Sequence, residues 1–237
     1  MAYNVKTTEA LQEAYDAVYV KKPVHHQDPH YRWVADVLKL RPGRSLLDVA
    51  CGPGWMLFEA ARRGLKAEGM DLSPNAVALA RRHAPSARVE VGDGEHLSWP
   101  DNAFDYVTCL GSLEHYLHPI EGLNEISRVL KPDGTAFVML PNKYYLKHML
   151  QEIRTGRGPD EQEGFERLLT RQEWGELIAQ SRLEIVRVVR QNEIKPLFWP
   201  GSRKIRSLNK VATSWLYRLF CPLDFSYHFA FICRKRA

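Results

Sequence analysis

Between residues 44 and 141, short apolar runs alternate with stretches of helical periodicity, and this alternation restricts the fold more than any other feature of the chain. The segments "RSLLDVA" (44–50), "KAEGMD" (66–71), "ARVEVG" (87–92), "FDYVTCL" (104–110) and "TAFVML" (135–140) read as strands. Between them, 55–63 reads as a helix ended by Gly64. Ser73 caps a second helix with Pro74 at its first position and Ala76, Val77 and Ala80 on one face. A third, 122–130, stops at Lys131-Pro132-Asp133-Gly134. Strands interleaved with helices predict a parallel sheet covered on both faces.

Helices over 7–20 and 28–40 precede the first strand, and Thr170 with Glu173 forms a capping box that opens a helix over 171–181. "LEIVRVV" (183–189) and "YHFAFIC" (227–233) are the last two strands. The expectation is a single domain, 1–237, with a helical cap over 1–43 and a core over 44–141. Two insertions, 142–169 and 191–225, are too long for ordinary connections, and segments of that kind often carry function.

"LLDVACGPGWML", Leu46 to Leu57, places a carboxylate in an apolar strand and follows it with a loop almost free of side chains. Gly52 and Gly54 let a ligand touch the backbone. In an open α/β sheet the site lies beyond the carboxyl ends of the strands, which is where this loop falls. A dinucleotide fits poorly. Its phosphate-binding fingerprint needs a third glycine where Leu57 stands, Pro53 lacks an N–H, and Asp48 adds negative charge. Those features suit a ligand that is cationic on that side.

"LLDVACGPG" resembles the first motif of the class I, seven-stranded S-adenosylmethionine-dependent methyltransferases, an acidic residue followed by Gly-x-Gly. Three further stretches follow in the same order: "AEGMDLSPNAVALAR", "VGDGEHLSWPDNAFDYV", and "LGSLEHYLHP" with "EISRVLKPDGTAFVMLPN". The resemblance implies a Rossmann-like, mostly parallel seven-stranded sheet with helices on both faces and an antiparallel last strand. It implies S-adenosyl-L-methionine as cofactor and S-adenosyl-L-homocysteine as product. By the same resemblance the cofactor contacts are Asp48, Ala50, Gly52, Gly54, Asp71 on the ribose, Leu72 beside the adenine, Asp93, Gly94, Glu95 and Leu110, with Tyr19 and His26 reaching in from the N-terminal cap. His115 is the candidate base, or else a residue that only shapes the pocket. Tyr144, Tyr145 and His148, in the insertion after the fifth strand, are the candidate acceptor wall.

The expected reaction is methylation of a small molecule, at oxygen: a saccharide, a lipid-linked precursor or a secondary metabolite. RNA or protein methylation, and a regulator that binds the cofactor without transferring methyl, stay open as alternatives; an oxidoreductase using NAD is disfavoured by the loop. Nucleic acid is not the expected partner, because the sequence shows no RNA-binding module. The net charge is +5, and Lys and Arg predominate from Arg190 onward, which suits an anionic partner or a solvated face. No apolar run approaches the roughly 20 residues needed to span a bilayer. Residues 205–220 put Ile205, Leu208, Ala212, Trp215 and Leu219 on one helical face, so peripheral membrane contact stays open beside packing within the domain or a homodimer. The N-terminus mixes charge into every turn and reads as cytoplasmic rather than secretory. Cys51 and Cys109 read as small buried hydrophobes. His25, His26, Asp28 and His30 lack the spacing of a metal site, and no metal is expected.

Overall fold

A computed structural model describes residues 7–21, 28–156, 166–191 and 222–236. Strands β1 (Ser45–Val49), β2 (Lys66–Asp71), β3 (Arg88–Val91), β4 (Phe104–Leu110), β5 (Leu130–Pro141), β6 (Leu183–Gln191) and β7 (His228–Lys235) form one sheet. Their order is β3-β2-β1-β4-β5-β7-β6. β1 to β5 pair in parallel, and β7 runs antiparallel to both β5 and β6. This is the Rossmann-like sheet that the resemblance implied, with its antiparallel last strand. The order reverses between β1 and β4, which opens a crevice at the carboxyl edge there.

Seven helices accompany it: α1 (Thr8–Lys21), α2 (Asp28–Leu38), α3 (Trp55–Arg62), α4 (Pro74–His83), α5 (Pro119–Val129), α6 (Leu146–Thr155) and α7 (Arg171–Ala179). Strand side chains alternate between faces, so adjacent residues supply different cores. Leu46 and Phe137 join Val34, Leu57 and Ala80 from α2, α3 and α4 on one face. Leu47 and Val138 join Leu123, Ile126 and Trp174 from α5 and α7 on the other. Each such fully buried side chain contributes about 1.5–3 kcal/mol of apolar burial. Trp174 also donates its indole N–H to the Pro141 carbonyl at 2.9 Å, which satisfies its one polar atom inside the core.

Two boundaries differ from the sequence reading. α5 begins at Pro119 rather than 122, because proline at the first helical position needs no hydrogen-bond acceptor. β5 begins at Leu130, since Leu130 already pairs with Phe104, and a register shift before Tyr106 absorbs the Lys131–Gly134 segment. The expected helix stop is therefore an irregularity inside a strand. Ser73 caps α4 through the Ala76 N–H at 3.1 Å, and the Thr170–Glu173 capping box is present. Cys51, Cys109 and Cys233 are buried thiols. The expected helix 205–220 and Cys221 lie outside the described residues. Among those described, no helix is long and apolar enough to cross a membrane.

Candidate active site

A cavity opens at the carboxyl edge of β1, β2 and β4, beneath α1. It is bounded by Asp48, Ala50 and Gly52 from β1 and its loop, by Asp71 and Leu72 from β2, and by Asp93, Gly94 and Glu95 after β3. Leu110 at the end of β4, His115 beyond it and Tyr19 of α1 complete the sequence-predicted part of the lining. Gly54 lies outside it: a Cβ there would come within 2.8 Å of Ala80 Cα, so this glycine lets α3 pack on α4. His26 falls outside the described residues.

The loop after β1 is shaped by left-handed backbone at alternate positions: Ala50 at φ 57°, Gly52 at 51° and Gly54 at 81°. Ala50 is the unusual one, because a Cβ disfavours that region. The turn is fixed by the Gly54 N–H donating to Cys51 O at 2.9 Å, and by the Gly52 N–H donating to Asp71 Oδ2 at 2.7 Å. The other Asp71 oxygen accepts the Ser73 N–H at 2.9 Å. Asp71 thus ties the loop after β1 to the start of α4, and burial still raises its pKa despite those donors. Asp48 accepts the Thr108 hydroxyl at 2.6 Å. Burial, with a smaller contribution from Asp71, pushes Asp48 up to about 7. Asp93 accepts the Glu95 N–H at 2.9 Å through Oδ1. Among the described residues lining the cavity there is no Lys or Arg.

His115 ends the 3₁₀ turn Leu113–His115 and meets Tyr15 edge-on at 5.6 Å between centroids. Its Nε2 lies 3.9 Å from Glu114 Oε1. Glu114 is enclosed, and burial pushes it up to about 8. Tyr144, Tyr145 and His148 are not part of the cavity lining. Tyr145 is buried against His148 (4.7 Å) and Tyr227 (4.8 Å), while Tyr144 is exposed.

Several lining residues escaped the sequence reading. Thr8, Leu11 and Tyr15 share one face of α1 with the expected Tyr19, a spacing of three and four that was legible but had no known target. Gln12 and Asp16 lie beside that face and hold the helix down. The Gln12 amide donates to Leu72 O at 2.9 Å, and Asp16 accepts from Ser73 Oγ (2.6 Å), Asn75 N (3.0 Å) and Asn75 Nδ2 (2.7 Å). Tyr31 of α2, Ser112 and Tyr116 also reach the cavity, and nothing in the local sequence pattern marks them.

Residues 47–138 match the model of the methyltransferase domain family. This stretch of the chain is thus similar to a methyltransferase domain. The matched residues run from β1 into β5 and include the loop after β1, Asp71, Asp93 and His115. A ubiquinone biosynthesis O-methyltransferase of Alkalilimnicola ehrlichii is 40% identical over 119 residues, 48% of each chain. The chain spans about half the length of the curated relatives it matches. Among solved structures, the chain superposes on the (4+2)-cyclase SpnF with a TM-score of 0.68 at 20% identity, covering 98% of this chain and 97% of that one. It superposes on a SAM-dependent methyltransferase of Aquifex aeolicus with a TM-score of 0.59 at 16% identity, covering 86% and 88%. These two likenesses establish the fold of the domain.

Proposed function

We propose that this protein transfers a methyl group from S-adenosyl-L-methionine to a small-molecule acceptor, at oxygen, releasing S-adenosyl-L-homocysteine. The observation that carries the reading is the cavity's charge. Asp48, Asp71, Asp93 and Glu95 face it with no lining Lys or Arg among the described residues, and both Asp48 and Asp71 hold their protons more tightly than ordinary aspartates. Such a site repels phosphates and gains from a bound cation. A sulfonium zwitterion with a nucleoside fits it; a pyrophosphate does not.

In this reading Asp48 and the loop Ala50–Gly52 hold the amino-acid end, Asp71 and Asp93 accept from the nucleoside, and Leu72 packs beside the purine. When bound, the cofactor supplies an electrophilic methyl on sulfur. The protein then has to position the acceptor and exclude water. α1 covers the cavity, and Gln12 and Asp16 fasten it. His115, which lines the cavity, takes the acceptor's proton in this reading. Glu114, 3.9 Å away and pushed up to about 8, is mostly neutral near pH 7, so it does not lock the imidazole in its charged form. The names of the curated relatives favour oxygen as the atom methylated. Of the three insertion residues, Tyr144 has the exposure an acceptor contact requires.

Calorimetry with S-adenosylhomocysteine against NAD tests the cofactor, and radiolabelled methyl transfer to a panel of phenols, catechols and sugars tests the acceptor. Binding of NAD in place of the homocysteine would sink the proposal. A second reading, in which the domain binds the cofactor without transferring its methyl, would be favoured by tight S-adenosylhomocysteine binding with no transfer to any acceptor of the panel.

A further inference from the structure

Tyr116 follows His115 immediately, and its ring lies between two glycines. A Cβ on Gly122 would come 2.6 Å from Tyr116 Cδ2 and Cε2. A Cβ on Gly94 would come 2.5 Å from Tyr116 Cζ and closer still to the hydroxyl oxygen. The bare backbone at Gly94 is thus matched to a tyrosine, not left open for a ligand to approach. Arg167 holds the backbone beside this ring: its guanidinium donates to the carbonyls of Tyr116 and Leu117, the latter at 3.1 Å, and its own N–H donates to Glu114 O at 3.0 Å. With two glycines packed against the ring and the backbone tied, the ring is held in place.

That hydroxyl is buried and, among the described residues, has no hydrogen-bond partner of ordinary geometry, although the Ser112 side chain lies near enough to favour its ionised form. Burial holds its pKa well above the usual range, so it stays protonated and can donate. The carboxylates of Asp71 and Asp93 are close enough to raise it further, yet each already accepts backbone N–H groups. A buried phenol without an acceptor costs stability, of the order of an unmade hydrogen bond. Tyr116 also lines the cavity, between the residues after β3 and those after β4.

We propose that the Tyr116 hydroxyl is a cofactor-binding donor whose missing acceptor is the nucleoside of the bound cofactor. The inference rests on the proposed S-adenosylmethionine reading and adds a contact to it. The geometry selects the nucleoside because the flanking carboxyls, Asp93 and Asp71, are those assigned to it. Tyr116→Phe removes only the oxygen and keeps the clamped ring.

The test compares wild type and Y116F by calorimetry with S-adenosylhomocysteine and by thermal melting without ligand. The expected result is a Kd raised roughly 5- to 20-fold, the loss of one hydrogen bond, with ligand-free melting unchanged or higher because an unsatisfied group has gone. An unchanged Kd overturns the inference while leaving the cofactor reading intact. A lower melting temperature with unchanged Kd also overturns it and assigns the hydroxyl to the fold. Wild-type protein that binds no S-adenosylhomocysteine overturns both.

Discussion

Asp48→Asn separates the charge of the buried carboxyl from its shape. Asp48 is enclosed at the end of β1, and burial pushes it up to about 7 from the ordinary aspartate value of 3.8. A group that keeps its proton more tightly in the folded chain draws protons into the native state. Its stabilising contribution is complete below about pH 4 and is lost as pH rises through about 7. A tenfold change in proton affinity is worth about 1.4 kcal/mol, so ionising Asp48 costs the fold at most about 4 kcal/mol by pH 8, of which about 3 falls between pH 5 and pH 8. The Thr108 hydroxyl donates to Asp48 Oδ1 at 2.6 Å, and an asparagine oxygen accepts the same bond. The amide is neutral at every pH, so D48N avoids the penalty. In urea denaturation without ligand, D48N gains about 3 kcal/mol on wild type between pH 5 and pH 8, or roughly 6–12 °C in Tm. The same variant binds S-adenosylhomocysteine more weakly, because the charge that burdens the empty site is the one that attracts the ligand's ammonium. A stability difference between D48N and wild type that is the same at pH 5 and pH 8 would refute the reasoning.

Gly54→Ala forces a Cβ to 2.8 Å from Ala80 Cα at a φ of 81° and lowers stability by about 2–4 kcal/mol, read as a lower urea midpoint with an unchanged slope. Asp16→Ala removes the three hydrogen bonds that dock α1 on Ser73 and Asn75; limited proteolysis within α1 quickens, and affinity for S-adenosylhomocysteine falls roughly 3- to 10-fold. His115→Ala keeps that affinity within about two-fold while kcat falls by about 10²–10⁴, as loss of a general base requires; unchanged turnover removes the base role.

Local pattern alone made the strands and helices legible. Leu46 and Leu47 had to face opposite ways, Ser73-Pro74 had to start a helix, and Thr170 with Glu173 had to cap one, because period-two alternation and capping act within a few residues. The Asp48–Gly52–Gly54 spacing marked the side-chain-poor loop beside the cavity for the same reason: its backbone demands are local. The seven-stranded sheet with its antiparallel last strand came through the family resemblance, whereas the pairing order, which depends on crossings between distant segments, came from the structure.

Tertiary structure decided what the glycines are for. Gly54 meets Ala80, and Gly94 with Gly122 makes room for Tyr116, contacts between separate elements that no local periodicity encodes. It also decided which tyrosines and acids face the cavity, through α1 lying across it and Asp71 reaching back to the Gly52 N–H. Backbone propensity is written into neighbouring residues, whereas a site assembled from the ends of several strands exists only once packing has brought them to one edge.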